Sequence, residues 1–293
     1  MAVPDNLTNE QFKKSMLGEN AKVKVGMNLN LFNPTVAEFC AATGYDWVMV
    51  DMQHSSFSYD QLASMFMAIK LGGAKSFVRV SGAGDRAMIQ QCYDLGVDGI
   101  LVPYVNTAQD VIDAVSVAKY PDPDDDKITG TRSLYVNVRG TGLKWGTGMA
   151  PITRTNEINK ETIVAIQIET ADAVKNLDEI LAVPGLDIAF LGPGDLSLSM
   201  GKMQKLGMAT FQDEEFQAAI AAVVKGCQAN NVVPGFWGGK GMFTMLAGLG
   251  FKFICAGADI HTLISGMEAT IGVVKKEMSD AKVEWNPRGA KTA

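Results

Sequence analysis

The chain has 293 residues, 47% of them hydrophobic and 20% charged, and its 26 basic against 32 acidic side chains leave a net charge of −6. Such a chain can bury a large core, is not a disordered one, and has room for one α/β barrel of ~250 residues. The acidic balance excludes a general nucleic-acid binder, which needs a basic face to gather phosphates, and no apolar run approaches the ~20 residues of a membrane span.

Residues 1–21 read as an extension with one short amphipathic helix. Their mixture of charged and apolar residues is not a secretory signal, so a cytoplasmic protein is expected. From there the chain alternates short β-rich runs with helical stretches. The expected strands are Val23–Asn28, Trp47–Asp51, Ser76–Val80, Gly99–Pro103, Ile163–Glu169, Asp187–Leu191, Val232–Trp237 and Lys252–Ala256. Most are continuous apolar runs, as in parallel strands covered on both faces. The expected helices are Pro34–Thr43, Asp60–Lys70, Asp85–Leu95, Thr107–Lys119, Thr170–Leu181, Phe211–Ala229, Lys240–Leu249 and Asp259–Lys276. Asp60, Asp85, Thr107 and Thr170 are cap residues at their starts.

Eight strand–helix units argue for a closed (β/α)8 TIM barrel as a single domain over residues 22–278. The runner-up is a doubly wound Rossmann sheet, but no G-x-G-x-x-G follows the first strand. Residues 120–160 form a long insertion before the fifth strand, and residues 279–293 a polar tail. Cys40, Cys92, Cys227 and Cys255 form no C-x-x-C pair and read as free thiols in a reducing compartment.

A barrel of this kind carries its site at the C-terminal ends of the strands. That rule selects Asp51, Gln53, His54, Arg79, Gln167, Glu169 and Asp195. Glu169 and Asp195 end adjacent strands, one βα unit apart. Each alone could be structural, Glu169 as a helix cap and Asp195 as part of the LGPGDLS turn. Together they make a two-carboxylate site suited to Mg²⁺, Mn²⁺ or Co²⁺, ions that take oxygen ligands and leave positions for substrate. The turn Gly192-Pro193-Gly194-Asp195 lets backbone N–H groups approach a carboxylate.

His54 stands three residues after Asp51. It is either a loop histidine or a general base whose ring is oriented by the aspartate. Arg79 ends an apolar strand and needs an anionic partner, either a core acid or an enolate oxygen. His261 reads as structural. The acidic run Asp122–Asp126 lacks the glycine and glutamate of a calcium loop, and GFWGGKG is not a phosphate loop. Lys24, Lys75 and Lys252 lie at the N-terminal ends of strands, the wrong end for a Schiff-base amine. A metal is therefore the expected electron sink.

GYDWVMVDMQHSS, FVRV, DLGVDGILVP, AIQIET with LDEILAVPGLDIAFLGPGDLSLSMG, and FICAGADIHTL resemble the HpcH/HpaI aldolase family from about Val23 to Lys276. That family includes macrophomate synthase, a fungal relative. The resemblance implies a divalent metal on Glu169 and Asp195, and pyruvate with its carboxylate on the N–H groups around Gly194 and Asp195. It implies Arg79 on the enolate oxygen, His54 in proton transfer with Asp51 behind it, and Gln167 in the pocket. It further implies a homo-oligomer, dimers that exchange the last helix and assemble to a hexamer.

Two residues depart from the family pattern. Gln53 stands where glutamate is usual, and the tryptophan often found on the first strand is missing from VGMNLNLF. The loop with Arg132, Tyr135, Arg139 and Trp145 also differs, and loops of this kind shape acceptor choice. The expected reaction is that of a metal-dependent carbon–carbon lyase, a class II aldolase joining or cleaving a pyruvate enolate and an aldehyde. Oxaloacetate decarboxylation, or macrophomate synthase-like chemistry, uses the same enolate and is the alternative. A different class also remains open, an idle barrel serving as a binding or scaffold protein.

Overall fold

A computed structural model describes residues 7–122, 127, 129–135, 138–140, 146 and 149–285. Eight parallel strands close in sequence order into one barrel. They are β1 Lys24–Leu29, β2 Trp47–Asp51, β3 Lys75–Arg79, β4 Gly99–Val102, β5 Ile163–Ile168, β6 Ile188–Leu191, β7 Val233–Trp237 and β8 Phe253–Ala258. The barrel and its order agree with the reading from periodicity, and the open-sheet alternative is excluded by the β1–β8 pairing.

The helices of the first half are α1 Asn9–Lys14, α2 Pro34–Ala42, α3 Tyr59–Leu71, α4 Arg86–Asp94 and α5 Ala108–Ala118. Those before and after β5 are α6 Thr155–Glu161, α7 Ala171–Lys175 and α8 Leu177–Leu181. The expected single helix Thr170–Leu181 is thus two, broken at Asn176, whose Nδ2 donates to the Asn106 carbonyl. After β6 come α9 Pro193–Ser199, α10 Met203–Leu206 and α11 Glu214–Ala229. The short α9 puts the GPGD turn at the start of a helix, which period alone does not reveal. The last two are α12 Phe243–Leu249 and α13 Asp259–Asp280.

Strand alternation sorts the core into two layers. Met27, Leu29, Ile166 and Ile168 face the helices. Trp47, Phe77, Ile163, Phe190 and Phe253 face inward and fill the barrel. Trp47 stacks on Phe253 with ring centroids 4.0 Å apart. A Cβ on Gly26 would fall 2.0 Å from the Trp47 indole, so only glycine admits that ring.

Helix α1 closes the bottom of the barrel. Thr8 caps it in a capping box, Phe12 and Met16 join the inner core, and Lys13 pairs with Asp187 at 2.9 Å. The extension is therefore a plug rather than an appendage. Lys75 reaches the Leu7 carbonyl and Lys24 pairs with Asp46, which keeps both amines at the bottom.

The stretch Thr131–Ser133 of the insertion runs along the outside of α4 and α5. Arg132 pairs with Asp94 at 3.0 Å, and the Ser133 N–H donates to Gln90. Arg132 lies over the rings of Tyr93 and Tyr120. Arg132 and Arg139 line a cavity of about 280 Å³ near Asn9 and Asp98, at the foot of the barrel. Tyr135 is exposed. The expectation that this loop shapes the acceptor pocket is therefore not met by Arg132 or Arg139 within this chain. Trp145 lies outside the described residues, as does most of Asp122–Asp126.

Helix α13 behaves unlike the others. It touches the ends of β1 and β8, then leaves Leu263, Ile264, Met267, Ile271 and Val273 exposed. No helix of the described residues is long and apolar enough to cross a membrane.

Candidate active site

Inward-facing residues at the C-terminal ends of β1, β2, β3, β5, β6 and β7 converge at the barrel mouth. Asp51 and Arg79 are register partners on β2 and β3. Arg79 grips the carboxylate with two parallel hydrogen bonds, Nε to Oδ1 at 2.9 Å and Nη2 to Oδ2 at 2.6 Å. Both residues are buried. Burial alone would raise the Asp51 pKa, but the Arg79 hydrogen bonds and charge hold it below the usual carboxylate range. Arg79 Nη1 has no hydrogen bond among the described residues, so one edge of the guanidinium remains for a ligand.

Asp51 does not orient the His54 imidazole. Its oxygens accept the backbone N–H groups of Gln53 and His54, at 3.1 and 3.4 Å, and the Nδ2 of Asn30 at 3.0 Å. The aspartate shapes the turn that carries His54, while the ring is exposed. The sequence pairing of these two residues is real, but its physical content is backbone, not ring.

Asn30 also donates to Ser55 and accepts from Asn28 Nδ2. Because a carboxylate can only accept, this chain of amides has one polarity. Asn28 Oδ1 is left buried without a partner. Neither asparagine was marked by the sequence. The available signal was their even spacing with Gly26, which puts all three on the inward face of β1 and its extension.

Across the mouth, Glu169 follows β5 and is almost wholly buried. Its Oε1 accepts the Tyr104 N–H at 2.7 Å, and its Oε2 accepts Gln167 Nε2. Tyr104 holds φ +57° to make that bond. Burial, with the Asp195 charge adding to it, pushes the Glu169 pKa up to about 7 against the N–H of Tyr104. Gly192 lies in contact with this acid. A Cβ there would fall 2.6 Å from Gln167 Nε2 and 2.8 Å from Glu169 Oε2.

Asp195 is exposed in the first turn of α9. Pro193 has no N–H, and the N–H groups of Gly194 and Asp195 fall among those that a helix start leaves without an intrahelical partner. A Cβ on Gly194 would meet nothing within 4 Å. Gln167 Oε1 and Gln53 Oε1 are buried and unpartnered. Trp237, also unmarked by the sequence, ends β7 with its ring 5.6 Å from the Arg79 guanidinium carbon.

Among the described residues, no three His, Cys, Asp or Glu side chains form a metal cage. The pair Glu169 and Asp195 offers two oxygen donors. Cys92, Cys227 and Cys255 are buried thiols pushed up to about 12 by desolvation, unsuited to metal binding or nucleophilic work. His261 is exposed on α13.

The family model for HpcH/HpaI aldolase/citrate lyase matches residues 24–266. The chain is 34% identical over 237 residues to a hydroxypyruvate/pyruvate aldolase of Rhizorhabdus wittichii, covering 80% of this chain and 87% of that one. A solved HpcH/HpaI aldolase/citrate lyase family protein from Burkholderia cenocepacia superposes with a TM-score of 0.80 at 24% identity, covering 91% and 99% of the two chains. Macrophomate synthase superposes with a TM-score of 0.79 at 23% identity, covering 93% and 91%; these two structural likenesses concern the fold. The chain belongs to the HpcH/HpaI aldolase family. It is an enzyme, a carbon–carbon lyase of the aldolase class, and the idle-barrel reading is set aside.

Proposed function

We propose that this enzyme joins or cleaves a pyruvate enolate and an aldehyde, with a divalent cation held by Glu169 and Asp195. The observation that carries the reading is the setting of Glu169, an almost wholly buried carboxylate whose two hydrogen-bond donors, the Tyr104 N–H and Gln167 Nε2, are both neutral. A buried carboxylate pushed up to about 7 by desolvation and by a neighbouring acid is a site that gains from a hard cation. Such a cation would offset both effects at once. The unpartnered Gln167 Oε1 beside it suits a bound water or a substrate hydroxyl. The glycine at 192 keeps that space clear.

Bound there, Mg²⁺, Mn²⁺ or Co²⁺ would supply Lewis-acid charge to the keto oxygen of a 2-keto acid. This chain's own residues do the rest. The N–H groups of Gly194 and Asp195 receive the substrate carboxylate at the start of α9. Arg79, fixed by Asp51, turns its free Nη1 toward the oxygen on which negative charge develops. His54 moves the methyl proton, directly or through a water. Asp51 acts on Arg79 and on the His54 backbone, as a positioning residue.

We further read α13 as an exchanged element in a homo-oligomer of dimers assembling to a hexamer. Ile264, Met267, Ile271 and Val274 recur at helical spacing, and the barrel leaves the first three exposed and Val274 partly so. The metal reading is tested by dialysis against EDTA. Aldol formation from pyruvate and a small aldehyde should vanish and return with Mg²⁺, Mn²⁺ or Co²⁺, and the E169Q protein should fail to recover. Full turnover in protein free of metal by elemental analysis would refute it.

A further inference from the structure

The proposed pyruvate site uses residues at or after the ends of β2, β3, β5 and β6, which leaves the side of the mouth over β7, β8 and β1 for the acceptor aldehyde. Trp237 stands at the edge of that opening. Arg79 and Trp237 come from strands on opposite sides of the ring, yet the guanidinium carbon lies 5.6 Å from the indole. Both side chains therefore reach over the barrel centre. The indole is held from behind by Phe190, edge-on at 6.4 Å and 88°.

Trp237 is only half-buried, so part of it faces the mouth. Past its register partner Cys255, β8 breaks its alternation at a bulge before Ala258, and Gly257 in that bulge holds φ +139° with nothing within 4 Å of a Cβ. On and just after β1, the positions facing the mouth carry the small amides Asn28 and Asn30. Among the described residues, Trp47 lies deep in the inner core and Trp285 beyond α13, so the indole at the mouth comes from β7.

We infer that Trp237 is a specificity-determining residue, the wall that limits the bulk of the acceptor aldehyde on the β7 side of the mouth. The inference rests on the pyruvate-enolate reading above. A flat ring excludes a branched or aromatic acceptor by overlap while leaving short aldehydes room. Its contact with the guanidinium keeps it from swinging aside, since a cation over an aromatic face is attracted to it.

The test compares W237L and W237F with the wild type, using pyruvate and Mg²⁺ with acetaldehyde and with benzaldehyde. In W237L the ratio of kcat/KM for benzaldehyde over acetaldehyde should rise at least tenfold, carried mainly by the KM for the aldehyde. W237F, which keeps a ring on Phe190, should shift the ratio less in the same direction and serves if the leucine variant loses its fold. An unchanged ratio in either folded variant would overturn the assignment. So would an equal loss with both aldehydes, which would make Trp237 a support for Arg79 instead. Deuterium exchange into pyruvate by the wild type, without aldehyde, tells failure of the enolate reading from failure of this one.

Discussion

Asp51 and Arg79 face each other on adjacent strands and share two parallel hydrogen bonds, both residues buried at the floor of the mouth. A planar fork on a carboxylate fixes the guanidinium in one orientation and leaves Nη1 without a hydrogen bond among the described residues, the donor that the proposed mechanism gives to substrate. Removing one partner of such a pair leaves an uncompensated buried charge, which costs about 3–5 kcal/mol.

Arg79→Lys should separate structure from chemistry. Lysine keeps the charge but not the fork, so kcat should fall at least ~100-fold, the scale on which a transition-state donor acts. Metal affinity by calorimetry should stay within about threefold. Normal turnover would make Arg79 a core ion-pair residue only. Asp51→Asn should lower stability by about 3 kcal/mol in urea titration, and a change well under 1 kcal/mol would contradict the buried pair.

Metal binding should depend on pH through Glu169. Its carboxyl is raised from an ordinary 4.5 to about 7, so below pH 7 a proton must leave before a cation binds. Apparent affinity should then rise about tenfold per pH unit up to 7 and level off above it. Stability of the metal-free protein moves the other way. A raised folded-state pKa contributes stability that is full below 4.5 and lost as pH climbs through 7. Calorimetric titrations at pH 6 and pH 8 that give equal affinities would contradict the assignment.

The assembly is open to light scattering. Leu263, Ile264, Met267, Ile271 and Val273 are all exposed on α13, and contiguous exposed apolar side chains mark interaction sites. A particle heavier than a monomer is expected at working concentration. Met267→Glu with Ile271→Glu should shift it toward smaller species, because charges on a buried contact are costly. A wild-type monomer would contradict the exchanged-helix reading.

The fold was legible because most strands are short apolar runs and the longer helices bring their own period, several of them with a cap residue such as Asp85, Thr107 or Thr170. The site was legible where a polar residue interrupts such a run at its end, as Arg79 does in FVRV and Glu169 does in AIQIET. What stayed hidden depends on register and conformation. The sequence puts Asp51 three residues from His54 but says nothing of Arg79 beside it, since cross-strand neighbours are far apart in the chain. The result was a ring-orienting role for Asp51 that its hydrogen bonds do not support. Tyr104 serves Glu169 through a backbone N–H at positive φ, which no side-chain type announces. Trp237 looked like the end of an apolar strand, and only the closed ring brings it to Arg79. The period of α13 was equally clear, but a period cannot say whether its apolar face meets its own barrel or another.

The proposed enolisation of pyruvate at this mouth needs a divalent cation but no acceptor aldehyde. Proton NMR of pyruvate in D₂O with Mg²⁺ and the enzyme tests it without an acceptor. The methyl signal should decay, more slowly with His54→Ala, and not at all with Glu169→Ala or Asp195→Ala. A methyl signal that stays constant for hours with metal-loaded wild-type protein, while oxaloacetate is also left intact, would contradict the account.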